Sequence, residues 1–341
     1  MGKAERAVQD LMLPGAIVLG ISLFFLYRAL PALHPYGHQL HVAASEGQRV
    51  VIAFLLFFQF VKISPHDLRF RRWHLWALLF QVLTFLACAA VVAFSREGVV
   101  RILAECAMLC LICPTASAAG VITEKLGGTL AETVTYLTLS NLAATFLIPT
   151  VIPMVRPAAD LGFWAYVGRI ALKVFPLLVL PGLLAWLIRY TTHRLQRILM
   201  RLSRFAFYIW GVGLTLAMLL AADALTESGM SAWAVAGIVL VSAACCALQF
   251  FVGRRIGRGR RASAAVGPAA SVGAAGARAA VPSPRADSLT AGQALGQKNN
   301  GFLIWLGYNY LTPVTSVAGG LYAIWQNLFN SWELYRSGRD K

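Results

Sequence analysis

Two stretches decide how this chain is read: Cys113-Pro114-Thr115-Ala116-Ser117-Ala118-Ala119-Gly120 and Asp287-Ser288-Leu289-Thr290-Ala291-Gly292-Gln293-Ala294-Leu295-Gly296-Gln297-Lys298-Asn299-Asn300-Gly301. The first lies inside an apolar run, where Pro114 removes a backbone donor and disturbs the helix. The second is too polar to face lipid, yet the alternation of spans requires it to supply half a crossing. Broken backbone at membrane depth is tolerated only where it is buried in protein or lines a water-filled cavity. The two segments are therefore expected to face one another.

Composition supplies the membrane. Of 341 residues, 58% are hydrophobic and 13% charged, against about 25% charged in an ordinary soluble domain. Mean hydropathy is +0.67. At about 20 apolar residues per helical crossing, the chain has room for ten spans, placed at 11–33, 48–63, 73–95, 99–126, 129–154, 163–190, 203–223, 231–253, 288–311 and 313–335. The net charge of +16 would suggest nucleic acid in a soluble protein. Here its position decides. Lys3, Arg6, Lys62, Arg69, Arg71, Arg72, Lys125, Arg189, Arg194, Arg197, Arg201 and Arg204 fall on one side of the predicted spans. So do Arg254, Arg255, Arg258, Arg260, Arg261, Arg278, Arg285, Arg336, Arg339 and Lys341. The other side holds chiefly Arg96, Arg101 and Arg156, with Asp223 and Glu227. Lysine and arginine collect on the cytoplasmic side, so both termini are expected in the cytoplasm of a cell whose inner membrane the chain spans. The lipid bilayer then explains the basic excess, and no nucleic-acid partner is implied.

Met1–Asp10 is short and mixed in charge, and the apolar run after it has no small-residue cleavage site. The first span is expected to be retained. Residues 257–284 are Ala, Gly, Arg, Pro and Ser without apolar periodicity, and read as a disordered cytoplasmic linker whose arginines can touch anionic head groups. Cys88, Cys106, Cys110, Cys113, Cys245 and Cys246 all lie in apolar stretches and read as packing residues; Cys106, Cys110 and Cys113 share a helix face but recruit no metal partners beyond Glu105. The six histidines lack zincin spacing or a nucleophile partner. No paired acid and base stands inside the spans, so an enzyme is not expected, nor any cofactor. Glu105 is a counter-charge for Arg101 at i, i+4. Glu124, Lys125 and Glu132 read as local pairs at the interface, Arg169 and Lys173 as head-group anchors, and Trp73, Trp76, Trp164, Trp233, Trp325 and Trp332 as an interfacial belt.

The breaks fall in the fourth span of each half, which is where two inverted five-helix repeats, 1–156 and 157–341, would put them. Such paired interruptions are the best sequence pointer to a transporter's binding site. Leu11-Met12-Leu13-Pro14-Gly15 and Leu178-Val179-Leu180-Pro181-Gly182 give a weaker trace of the same repeat.

Cys113-Pro114 with its Thr-Ala-Ser run and Val121-Ile122-Thr123, then Gly296-Gln297-Lys298-Asn299-Asn300-Gly301, Pro313 and Trp325-Gln326-Asn327 resemble the broken helices and last span of the bile acid:sodium symporter superfamily. The resemblance covers roughly spans two to ten at low identity. It implies an all-α protein of ten helices in a panel and a core domain, with helices four and nine crossing in the core and two sodium ions behind the crossing. It also implies alternating-access transport of an organic anion.

The departures from that pattern bear on the ions. The family's Ser-Asn sodium-ligand pair aligns with Ala119 and Gly120, and its next two hydroxyl ligands with Thr133 and Leu137. Its shared carboxylate aligns with Ala294 and its ligand glutamine with Lys298, while span three keeps a glutamine at Gln81. A hard cation needs several oxygens. On this alignment the first site is emptied and the second holds an ammonium. The main expectation is that Lys298 replaces a sodium ion, donating to Gln81 and to carbonyls at the unwound ends. A lysine at that depth costs about 3 kcal/mol and is a functional candidate by default; a desolvated lysine that releases its proton would also make a proton the coupling ion. Substrate contacts are expected at Thr115, Ala116, Ser117, Asn299 and Asn300, where unwound helix ends offer donors to a carboxylate or sulfonate. Two other readings stand beside this one. One is a sodium-coupled symporter with ligands rebuilt from Ser117, Thr123, Thr133, Asn299 and Asn300. The other is a non-transporting receptor, for which the linker supplies no foldable signalling domain.

Overall fold

A computed structural model describes residues 3–258 and 284–339, so the linker expected at 257–284 lies almost wholly outside the described residues. Every regular element in the described residues is helical. In chain order they are α1 (Lys3–Ala29), α2 (Gly37–Val61), α3 (Arg72–Phe94), α4 (Val99–Ile112), α5 (Ala119–Lys125), α6 (Leu130–Val155), α7 (Phe163–Leu178), α8 (Leu180–Thr191), α9 (His193–Leu202), α10 (Ala206–Glu227), α11 (Ala232–Arg258), α12 (Pro284–Gly296), α13 (Asn300–Tyr310) and α14 (Ser316–Arg339). Six helical segments are long and apolar enough to cross a membrane: Pro31–Val61, Arg72–Phe94, Leu130–Val155, Phe163–Thr191, His193–Glu227 and Ala232–Arg258. By length and composition the chain is an all-α multi-pass membrane protein. At about 1.5 Å per residue, α4, α5, α12 and α13 are each too short to span a hydrocarbon layer of roughly 30 Å.

Helix ends differ from the sequence expectation where polar residues are satisfied by tertiary partners. The second span is expected from 48, but α2 begins at Gly37. Its polar first turns are held by other helices: His41 meets the Tyr308 hydroxyl and Asp223, and Ser45 bonds Asn309. The sixth span is divided at Val179, because Pro181 in the first turn of α8 carries no N–H to continue the ladder. Trp73 is interior and does not join an interfacial belt: its ring is 2% exposed and its Nε1 donates to Glu132 at 3.0 Å. Trp76, Trp164, Trp233 and Trp332 are exposed.

Polar contacts sort the helix ends into two layers. One joins Arg28 to Glu227, Asp223 to His41, and Glu105 to Arg101, Arg156 and the Thr312 N–H. The pairing expected between Arg101 and Glu105 is present at 3.5 Å, and Arg156 closes on the same carboxylate at 3.0 Å. The opposite layer holds Glu132, which is fully buried and pairs with Arg71 across α3 and α6 at 2.9 Å, and Glu333 of α14 paired with Arg254 of α11. Arg189 reaches the Val61 carbonyl there. Acidic groups are nearly matched in the first layer, and basic groups are in excess in the second. Between α8 and α10, α9 carries Arg194, Arg197 and Arg201 along one side with Leu195, Ile198 and Met200 exposed, the pattern of a helix lying in a membrane interface.

Packing forms two groups. In one, α2 sits between α10 and α8, with α1 against α10; in the other, α3, α6, α11 and α14 surround the short helices α4, α5, α12 and α13. Within the second group α11 lies directly on α12. Gly253 and Gly257, four residues apart, allow this: a Cβ at Gly253 would meet the Ala291 carbonyl oxygen at 2.5 Å, and one at Gly257 would collide with Asp287 backbone. Small residues at this spacing let membrane helices approach to backbone contact. Gly253→Val is expected to destabilise the protein by roughly 1–3 kcal/mol through overpacking. Gly15→Val, at a position where an added Cβ meets nothing within 4 Å, leaves the melting temperature in detergent unchanged.

Candidate site at the helix crossing

α4 stops at Ile112 because the next helical donor would be Pro114, and α5 restarts only at Ala119. α12 stops at Gly296, where any side chain would collide with the Phe250 ring, and α13 restarts after Asn299, whose Oδ1 accepts from the Phe302 N–H at 3.2 Å. The two unwound segments meet as an isolated antiparallel bridge between Thr115 and Lys298. Ala116 N–H donates to the Gln297 carbonyl at 3.0 Å and Asn299 N–H to the Pro114 carbonyl at 2.9 Å. The expected meeting of the two breaks is therefore present.

Side chains supply the partners that the lost helix turns would have supplied. The Gln81 amide donates to the Ile112 carbonyl at 2.9 Å and the Cys113 carbonyl at 3.4 Å, and its Oε1 accepts from the Tyr136 hydroxyl at 2.7 Å. Thr115 N–H reaches Ser140 Oγ at 3.1 Å, while the Thr115 hydroxyl donates to the Ala294 carbonyl at 2.7 Å. Lys298 N–H is taken by Gln326 Oε1 at 2.9 Å, and the Gly296 carbonyl by the Tyr322 hydroxyl at 2.7 Å. Gln249 donates to that same hydroxyl at 3.0 Å and to the Cys110 carbonyl at 3.1 Å. Each bond is worth about 1 kcal/mol net, and an orphaned buried partner costs about 1–3 kcal/mol.

Lys298 is fully buried, so it does not snorkel to a surface. The expected bond from its ammonium to Gln81 is not made: Gln81 is committed to the α4 end and Tyr136, and Lys298 Nζ has no hydrogen-bond partner among the described residues. Its electrostatic neighbours are the cysteines Cys110 and Cys113 on the α4 side and Cys245 and Cys246 on α11. The cysteines expected only to pack are thus also within electrostatic range of Lys298. No group of three His, Cys, Asp or Glu side chains among the described residues has the geometry to hold a metal ion.

The remaining positions divide cleanly. Ala119 and Gly120 open α5, Leu137 and Ala294 are buried, and none offers a side-chain oxygen. Thr133 and Thr123 turn their hydroxyls to their own helices, onto Thr129 and Ala119 carbonyls. Thr115 and Ala116 are buried in the crossing, whereas Ser117, Asn299 and Asn300 are partly exposed. Asn300 Oδ1 has no hydrogen-bond partner among the described residues, and neither side-chain atom of Asn141, the neighbour of Ser140, has one.

Sequence reasoning missed the contribution of α2. Gln48, 1% exposed, puts its amide 2.7 Å from where a Gly301 Cβ would lie, and Gln59 lies 3.9 Å from the corresponding point at Gly120. These glutamines are three helical turns apart, one opposite the start of α13 and one opposite the start of α5. A polar residue every three turns on an apolar helix was the available signal. Compared with known proteins, the chain matches no protein-family model and no curated protein sequence.

Gln81→Leu is expected to lower stability by about 1–3 kcal/mol, because it orphans the Ile112 carbonyl and the Tyr136 hydroxyl together. Replacing both partners, in Gln81→Leu with Tyr136→Phe, should cost less than the sum of the single changes. Thermal melts of the purified variants read this directly.

Proposed function

We propose that this chain is a secondary transporter of an organic anion, a divergent member of the bile acid:sodium symporter superfamily working by alternating access without sodium. The observation that carries the reading is the antiparallel crossing of two broken helices at Thr115 and Lys298 with a buried, unbonded ammonium beside it. Ten crossings follow if α1, the α4–α5 pair, the α7–α8 pair, the α12–α13 pair and α14 each count as one. The α1, α2, α7–α8 and α10 group then corresponds to a panel and the rest to a core. The basic layer of helix ends faces the cytoplasm, with both termini on that side.

Lys298 in place of a sodium ion has a simple electrostatic rationale. α4 and α12 both end at the crossing, so the negative ends of two helix dipoles converge there. A resident positive charge offsets them, and a lysine provides it covalently. The oxygen supply for a bound ion is thin, since Thr123 and Thr133 are engaged locally and Ala119, Gly120, Leu137 and Ala294 have none to give. The positive end of α13 and the partly exposed Ser117, Asn299 and Asn300 favour a carboxylate or sulfonate on the other face of the crossing. Relative movement of the panel would then expose that face alternately through Gln48 and Gln59.

The test is thermal stability in sodium against matched potassium. A bound ion at a hundred times its Kd would stabilise the fold by about 2.7 kcal/mol. The expected outcome is no sodium-specific rise in the wild type, and a loss of stability in Lys298→Ala that sodium does not restore. A sodium-specific rise in the wild type would overturn the reading. If Lys298 also carries a coupling proton, uptake by Lys298→Gln in proteoliposomes loses its pH dependence; an unchanged pH profile would exclude the proton.

A further inference from the structure

A second basic site lies at the other end of α12 from the crossing, and it does not depend on the proposed function. The ends of α11, α12 and α14 enclose a cavity of about 390 Å³ whose wall contains Arg254, Arg258, Arg285 and Arg336. Its one carboxylate is Glu333, which is already engaged by Arg254 and by the Gln293 amide at 2.6 Å. Arg258 and Arg336 form no ion pair among the described residues, so at least two positive charges of the wall are not offset. Arg258, Arg285 and Arg336 share this wall with Arg254, and each repels it electrostatically. Three of the four belong to exposed residues, with Arg336 stacked over the Trp332 ring at 5.6 Å.

We propose that this cavity binds a phosphate-bearing anion. Guanidinium forks from three helices converge on one space, and a tetrahedral group with two or more negative charges is the ligand that can accept from several forks at once. A single carboxylate would engage the fork of Arg258 or of Arg336 and leave the other uncompensated. The anion would relieve the mutual repulsion and tie the last turn of α11 to the first turn of α12 and the last turn of α14. α12 runs into the crossing, and α11 and α14 reach it through Gln249, Tyr322 and Gln326, so the ligand would stabilise the core as a unit. The phosphate comes either from an anionic lipid head group, for which Trp332 supplies an apolar flank, or from a soluble phosphate.

The experiment uses the full chain in nanodiscs of pure phosphatidylcholine or of phosphatidylcholine with phosphatidylglycerol, each with and without inorganic phosphate at constant ionic strength, read as melting temperature. Stabilisation by phosphatidylglycerol alone identifies the lipid source. Saturable stabilisation by phosphate in pure phosphatidylcholine identifies the soluble one. In either case Arg258→Gln and Arg336→Gln should weaken the response by about tenfold in apparent affinity, the loss of one charge-assisted bond. Arg201→Gln, on the exposed helix α9, should leave it intact. No response in any condition, or an equal loss in Arg201→Gln, overturns the site.

Discussion

The rest of this structure depends on one constraint: a backbone that leaves its helix inside an apolar layer must find every hydrogen-bond partner within the protein. Pro114 forces that departure in one segment, and the Gly296–Asn299 stretch makes it in the other. Each supplies part of what the other lacks, through the exchange between Ala116 and Gln297 and between Asn299 and Pro114. Neither break would be tolerable alone. The surrounding helices are then required to deliver Gln81, Tyr136, Ser140, Gln249, Tyr322 and Gln326 to fixed points, which dictates how α3, α6, α11 and α14 are arranged around the crossing.

Charge is handled by the same logic at two depths. At the helix ends, buried Glu105, Glu132 and Glu333 each meet arginine, so that carboxylates removed from water are compensated. At the crossing Lys298 forms no ion pair among the described residues; the ends of α4 and α12 present partial negative charge there. A cation fixed covalently is there in every state of the protein, whereas a bound ion comes and goes. That difference is why replacing an ion by a lysine would change the coupling of a transporter while preserving its architecture.

The membrane class, most helix limits and the meeting of the two breaks were legible in the residues, because apolar length, proline and runs of small residues act through local backbone chemistry. The polar ring around the crossing was not. Tyr136, Gln249, Tyr322 and Gln326 are single polar residues in apolar helices, with no periodicity to mark them as partners of a backbone far along the chain. Gln48 and Gln59 were passed over for the same reason. Trp73 was misread because a tryptophan near a helix end has the same local signature whether it meets lipid or a buried glutamate. The early start of α2 was hidden by polar residues whose partners, Tyr308, Asn309 and Asp223, are distant in sequence.

Where helices can form in an apolar layer, and where they must stop, follows from the residues alone, since hydropathy and the missing N–H of Pro114 depend on nothing beyond their neighbours. The surroundings of the Lys298 side chain are set by packing. Its backbone could have been placed from the break alone, but Gln81, the partner expected for its ammonium, is already bonded to Ile112 and Tyr136. A side chain with four rotatable bonds has no direction of its own; packing gives it one.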